Sequence, residues 1–387
     1  MKISILVPDL SENCLGRAYI LAKVLQRRYD IEIIGPVFGE GIWKPVANDK
    51  DIVYKFVKLN KRKISLWRLR ELYRKIDGDI IYSIKPLFTS FGFGLLKKFI
   101  NRKPLILDID DWQMGLMNDY FHSLSLVKRI GYLLGSIIYP FNTNSYWNNL
   151  FFSKLYFCAD KITVSNNLLK DKFGGAVVWH GRDTDFLNPH KFDKYSLKQK
   201  YRIDEKIKIV MFLGTPRPHK GIEDLVEAVG LIKNKNIILA IVGVDAKNPY
   251  CKNLIKTAEK ILIKRLKVFG LQPFQKVPEF LSIADVIVIP QKRGDSAIMQ
   301  IPAKLFDAMA MAKPIISNSV SELPQILENC GWIIEPDNPK ELSKIIQYVL
   351  DNTEEAMKIG LKAREKCIEK YNLNIMEKTL IEVFKNY

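Results

Sequence analysis

Several groups of residues have the types and spacing needed for chemistry on a charged substrate. Asp307 lies in the stretch IPAKLFDAMAMAKPIISNSVSELP, residues 301–324. Pro302 pre-sets the first turn of a helix, and Leu305, Met309 and Ala312 follow at a spacing that gives one buried face. Such a helix start presents unpaired backbone N–H groups, so the amides near Ala303 and Lys304 can face a phosphate. Asp307, one turn further in, can accept hydrogen bonds from a diol. Lys220 and Arg217 follow Gly214 in GTPRPHKGIEDLVEAV. The lysine can neutralise a diphosphate as a point charge and the arginine can bind it bidentately, the alternative for each being a solvated surface position. Asp108, Asp110 and Asp111 close the apolar run PLILDIDDW at the C-terminal end of a strand, where open α/β sheets place their ligands. Asp110 or Asp111 can orient an acceptor hydroxyl or cap the next helix.

Positioning these groups takes an alternation of strands and helices. Residues 2–7 read as a strand, Leu15 to Leu25 keep a helical period, and residues 31–34 start a second strand, a βαβ opening. Further strands are expected at 79–84, at 104–112, an apolar run ending in acids, and at 161–165. The pattern restarts with strands at 207–213, 237–242, 266–269 and 286–289, interleaved with helices at 222–232 and 250–263. Pro314 stops the helix that carries Asp307; Ile315 and Ile316 form a short strand, and Ser317 to Ser319 a turn. A lysine-rich polar loop at 190–206 separates the two alternations, which sets the boundary near Pro189. No G-x-G-x-x-G fingerprint is present, which argues against a nicotinamide-dependent enzyme.

The 387 residues are 48% hydrophobic, enough for two α/β cores. Cys14, Cys158, Cys251, Cys330 and Cys367 are scattered, with no C-x-x-C pair, so reduced thiols are expected rather than a zinc site or a disulfide framework. The chain enters a strand directly from MKISILVP without a signal-peptide pattern, so a cytoplasmic location is expected. The net charge of +18 is spread along the chain with no basic tail. Nucleic acid would require a localised stripe with base-reading side chains, so an anionic membrane surface is the preferred partner. Residues 61–76, KRKISLWRLRELYRKI, place Leu66, Leu69, Tyr73 and Ile76 on one face against seven basic residues and one acid. This suits a helix lying on anionic lipid, or a solvated surface helix. Residues 118–158 are rich in aromatics, and the apolar run RIGYLLGSIIYPF is shorter than the roughly 20 residues that span a bilayer. It can lie at the headgroup level, pack in the domain core, or form a dimer contact.

Pro302, Lys304, Leu305, Phe306, Asp307, Ala310, Lys313 and Pro314 resemble the P-x-K-L-F-E-x-M-A-x-G-K-P block of the retaining glycosyltransferases called family 4. Lys220 and Gly221 resemble the end of that family's G-R-x-x-x-x-K-G stretch, with Thr215 at the arginine place and Arg217 two residues on. Gly181, Asp183, Phe186 and Pro189 match its I-P-N-G-V-D-x-x-x-F-x-P, with His180 in place of Asn. Asp307 replaces the usual Glu, Met299 stands where the first Glu of an E-x7-E pattern is common, and Asp110 stands where Arg or His is usual. The resemblance implies the α/β GT-B architecture, two Rossmann-like domains facing a central cleft. An acceptor domain would span 1–189 and a nucleotide-sugar domain 190–365, with a C-terminal helix, 366–387, returning to the first. It assigns the ribose to Asp307 and the diphosphate to Lys220 and Arg217. Gly16 and Gly214 become donor-loop glycines, and Asp295, in the insertion between Pro290 and Pro302, a sugar contact.

The expected activity is sugar transfer, with retention and without a metal or other cofactor, from a nucleotide-sugar to a lipid-linked or polysaccharide-precursor acceptor. The enzyme would be peripheral on the inner face of the cell membrane and would not engage nucleic acid. A nucleotide-sugar epimerase of the same architecture and a non-catalytic sugar-nucleotide binder are the alternatives.

Overall fold

The computed structural model describes residues 1–60, 65–139, 142, 144–385 and 387. Its contacts divide the chain into two compact units. The first comprises Met1–His180, Gly294–Gln300 and Asn374–Tyr387; the second comprises Gly181–Arg293 and Ile301–Leu373.

The first unit is built on a seven-stranded parallel sheet: β1 (Lys2–Leu6), β2 (Asp30–Val37), β3 (Val53–Lys58), β4 (Ile80–Ile84), β5 (Leu105–Ile109), β6 (Lys161–Val164) and β7 (Ala176–Val177). Their order is β3-β2-β1-β4-β5-β6-β7. Parallel neighbours need crossover connections that cover both sheet faces, so central strands are apolar throughout rather than alternating. β4 and β5 are buried along their whole length. Helix Leu15–Leu25 buries Leu15, Ala18, Leu21, Ala22 and Leu25 at helical spacing. Helix Leu66–Lys75 packs through Leu69 and Leu72, with Ile76 just beyond it, whereas Leu66 points outward at 79% exposure. Its expected first residues, 61–64, lie outside the described residues. The aromatic stretch forms helices Gln113–Ser123, Leu126–Ile138 and Tyr146–Lys154, with 140, 141 and 143 of the intervening stretch outside the described residues.

The second unit holds a six-stranded parallel sheet: β8 (Lys208–Leu213), β9 (Ile237–Val244), β10 (Leu266–Gly270), β11 (Val286–Ile289), β12 (Ile315–Asn318) and β13 (Trp332–Ile334). Their order is β10-β9-β8-β11-β12-β13. Helix Ile222–Leu231 buries Ile222, Leu225, Val226 and Val229 against it.

Several details differ from the sequence reading. The lysine-rich stretch after Pro189 contains a helix, Lys194–Lys200, capped by the Asp193 carboxylate accepting the Ser196 amide at 2.8 Å. Ser317 and Asn318 lie inside β12 because that strand pairs with its neighbours on both sides. The units exchange at His180 rather than near Pro189, because β7 ends the first sheet at Val177. Gly294–Gln300 belongs to the first unit although it lies within the second unit's stretch of sequence. The long helix Thr353–Lys370 stays with the second unit, and the return begins at Asn374.

Candidate functional site

Each sheet has one place where the strand order reverses direction, and open α/β sheets bind ligands beyond the strand ends there. In the second unit this place lies between β8 and β11, both of which begin connections on opposite sides of it. β8 runs into Gly214, whose φ of +121° is a conformation that L side chains rarely adopt. The loop continues to the 3₁₀ turn Pro218–Lys220, preceded by Arg217, whose carbonyl accepts the Lys220 amide at 3.0 Å. Lys220 Nζ donates to the Thr215 carbonyl at 2.8 Å, folding its side chain back over the loop. Gly221 follows with φ +61°, and a Cβ there would run into the Pro290 carbonyl oxygen after β11. Glycine is required at that point.

The helix Ala303–Ala310 starts at Pro302, as its ring and the buried face of Leu305, Phe306 and Met309 dictate. Its Lys304 side chain reaches back to β8, with Nζ 3.4 Å from the centre of the Phe212 ring. That nitrogen is buried and has no hydrogen-bond acceptor. Burial, with the Lys220 charge adding to it, holds the Lys304 ammonium well below the usual lysine range.

Asp307 is met by Arg182, whose Nε donates to its Oδ1. Arg182 Nη2 also donates to the Ala303 carbonyl at 2.8 Å, and Nη1 to the Gly181 carbonyl at 3.0 Å. The backbone fixes Arg182 in turn, since its amide donates to Tyr371 and its carbonyl accepts the Leu373 amide. Burial pushes the Asp307 carboxyl up, and Arg182 opposes that rise. The second unit therefore brings together Gly214, Lys220, Ala303, Lys304 and Asp307, with Arg182 clamping the start of the helix to its carboxylate.

In the first unit the corresponding reversal lies between β1 and β4. Lys85 follows β4 with φ +63°, and its Nζ lies 3.1 Å from Asp110 and bonds Asp111 Oδ2. Burial opposes the Lys85 charge, but the two carboxylates keep it firmly protonated. Burial pushes Asp110 up to about 6 against the pull of Lys85. Asp111, although burial acts on it too, is brought down to about 2 by Lys85 and by Gln300, which donates to Oδ1 at 2.7 Å. Asp108 is separate from this pair: Arg17 grips it at 3.0 and 2.9 Å, and Thr163 donates to it at 2.7 Å. The helix Gln113–Ser123 begins at Trp112 with no side-chain cap, so neither Asp110 nor Asp111 serves that purpose. Gly16 is the second residue of helix Leu15–Leu25. Asp295 opens the short helix Asp295–Ile298; its carboxylate accepts from Asn118 at 3.2 Å while Asp119 accepts the amides of Asp295 and Ser296. Gly16, Asp108, Asp110, Asp111 and Asp295 thus belong to the first unit, and the remaining candidates to the second. Among the described residues no three His, Cys, Asp or Glu side chains stand close enough to share a metal ion.

Residues 193–366, most of the second unit, match the family model described as glycosyl transferases group 1. The amylovoran biosynthesis glycosyltransferase AmsK of Erwinia amylovora is 23% identical over 198 residues, covering 50% of this chain and 48% of that protein. The uncharacterized glycosyltransferase MJ1607 of Methanocaldococcus jannaschii is 25% identical over 353 residues, covering 81% of this chain and 86% of its own length. The chain spans about half the length or less of the first curated relatives it matches. The Anabaena protein Alr3699/HepE, solved in complex with UDP and glucose, superposes over 100% of both chains with a TM-score of 0.75 at 17% identity. The chain has the GT-B fold.

Measured against the group 1 motifs, the substituted positions have structural partners of their own. Met299, at the place of a first Glu, packs on the first unit's core, and its carbonyl accepts from Asn166 at 3.0 Å. Asp307, one methylene shorter than Glu, is met by Arg182 from the H-G-R-D turn. Arg182 and Lys85 were missed by sequence reasoning. The signal for Arg182 was a charge inside an otherwise matching turn motif; Lys85 followed a strand end in S-I-K-P without any motif around it.

Proposed function

We propose that this chain is a retaining glycosyltransferase that moves a sugar from a nucleotide-diphosphate-sugar to a lipid-linked or polysaccharide-precursor acceptor in cell-surface glycan synthesis. The observation that carries the reading is the convergence of Lys220, Lys304 and the start of helix Ala303–Ala310 beside Asp307 at the reversal of the second sheet. A donor of this class needs cations and amides on its diphosphate and a carboxylate on its ribose diol. The same positive groups stabilise the diphosphate as the glycosidic bond breaks and negative charge develops on the leaving oxygen. Arg182 holds the Asp307 carboxylate in one orientation. The names of relatives such as AmsK support a role in polysaccharide assembly, and the UDP bound by HepE makes UDP a suitable first nucleotide to test.

A metal is superfluous in this reading, because Lys220 and the helix start supply the positive potential and Lys85 answers Asp110 and Asp111. The reading places the protein on the cytoplasmic face of a membrane, supported by the helix Leu126–Ile138. Tyr132 and Ser136 of that helix bond inward, to the Asn144 carbonyl and the Tyr146 amide. Leu126, Val127, Ile130, Leu134, Ile137 and Ile138 form the opposite face, each more than half exposed. Such a face, with cationic side chains nearby, suits the headgroup boundary. No helix among the described residues is long and apolar enough to cross a membrane.

Calorimetric titration with UDP, GDP, ADP, CDP and dTDP tests the donor site. One of them should bind, with affinity lowered by Lys220→Ala and by Asp307→Ala, each loss corresponding to about 1.5–3 kcal/mol. Unchanged affinity in both folded variants would remove these residues from the site. Vesicle co-sedimentation tests the membrane reading: binding should require anionic lipid, weaken with salt, and fall when Ile130 and Ile137 are changed to Ser or when Arg68, Arg70, Arg74 and Lys75 are changed to Gln. Equal binding to neutral vesicles, or none, contradicts it.

A further inference from the structure

Lys304 is the second unit's oddest side chain. Its stem is only partly covered, but Nζ is sealed from solvent, lies 3.4 Å above the centre of the Phe212 ring and has no hydrogen-bond acceptor. The charged group that bears on it is Lys220, of like sign, from the turn after β8. On its own helix, Asp307 is engaged by Arg182. Burying an amine without a hydrogen-bond acceptor opposes folding, whereas burying an apolar residue of the same length would favour it, so the position needs another reason for its amine. Gly214 supplies one. A Cβ built on it would touch the Lys304 stem at 3.6 Å and Nζ at 3.9 Å, so the bare backbone of this glycine lies against the amine. An anion placed against Gly214 and the helix start would lie beside the Lys304 side chain, whose nitrogen already feels the Lys220 charge.

We propose that the Lys304 amine is a second diphosphate-binding cation of this site, held uncharged over Phe212 until the diphosphate arrives. This rests on the donor-site reading above and deepens it. Desolvation and a neighbouring ammonium both favour the neutral amine in the free protein, which agrees with the downward direction of its titration. A bound diphosphate reverses the balance, because two negative phosphates beside the nitrogen favour the ammonium. Binding therefore takes up a proton from solvent, at Lys304 Nζ. The uptake is largest above the free protein's lysine titration point and below that of the complex. It vanishes at lower pH, where Lys304 is already charged before binding.

The experiment is calorimetry with UDP, GDP, ADP, CDP and dTDP at pH 8, each beside its nucleoside, in buffers of different ionisation enthalpy. At this pH the terminal phosphate is already ionised, with its own titration near 6. The diphosphate that binds should take up a substantial fraction of one proton, and its nucleoside none. Lys304→Met should abolish the uptake and weaken the diphosphate about 10- to 150-fold, while leaving nucleoside affinity unchanged. The same variant should unfold at the wild-type temperature or above, because it removes an unpaired buried amine; a merely structural lysine would lower that temperature. Lys304→Arg, which stays charged, provides a second test: binding without uptake. If no diphosphate binds the wild-type protein, the donor-site reading fails and this inference with it. If one binds with no proton uptake and equal affinity in Lys304→Met, the inference alone is overturned.

Discussion

Replacing Arg182 by Met tests whether the Asp307 carboxylate depends on its clamp. The guanidinium is 6% exposed and the Asp307 side chain 14% exposed, so the pair is largely desolvated. Methionine keeps most of the volume but leaves a buried carboxylate, together with the Ala303 and Gly181 carbonyls that Arg182 now satisfies. Breaking a buried pair costs about 3–5 kcal/mol, and the residual exposure of Asp307 points to the lower end, about 3 kcal/mol. Asp307→Asn keeps an acceptor for Arg182 and loses only the charge assistance, about 1–1.5 kcal/mol. In the double variant no buried charge remains, so its cost should fall short of the sum by about 1.5–2 kcal/mol. Urea unfolding of the four proteins reads this coupling. Additivity within about 0.5 kcal/mol would refute the claim that Arg182 acts through Asp307.

Arg17→Met should cost about 3–5 kcal/mol in urea unfolding, because it strands the fully buried Asp108, and adding Asp108→Asn should recover part of the loss. A loss under 1 kcal/mol would contradict that assignment. Asp110→Asn should raise the urea midpoint at pH 8 and leave it unchanged near pH 4. Burial has moved the folded carboxyl up from 3.8 to about 6, so its contribution to stability is intact below its unfolded value and is lost as pH rises through the folded one. A midpoint lowered at pH 8 would show that the charged form is the one the fold needs. Lys85→Met should lower stability most at neutral pH and least in acid, since it leaves Asp110 and Asp111 without their shared cation. An equal loss at both pH values would indicate a packing role.

The parallel sheets were legible because β1, β4, β5, β8, β9 and β11 are apolar runs flanked by helical periods. β3 was not, since Val53, Phe56 and Lys58 are exposed edge positions with no burial pattern. β7 has two residues, too few to carry any pattern. The helix Lys194–Lys200 was hidden by its lysines, although its Asp193 cap was a readable start signal. Lys220, Lys304 and Asp307 could be singled out because a helix start and a glycine turn have local rules. The clamp by Arg182 could not, because it joins residues 125 apart in sequence and only the folded second unit brings them together. The same holds for Lys85 and the acidic run, which read as available carboxylates until the fold supplied their cation.

The most direct test of the central claim follows the sugar itself. The protein is incubated with a panel of nucleotide-sugars, with anionic vesicles present and chelator in half of the samples, and the anomeric signals of the released or transferred sugar are followed by proton NMR from the first minutes. One donor should lose its sugar with the anomeric configuration kept, at the same rate with and without chelator, and Lys220→Ala should abolish the reaction. Release of the opposite anomer, conversion of one nucleotide-sugar into its epimer, or no turnover of any donor would contradict the assignment.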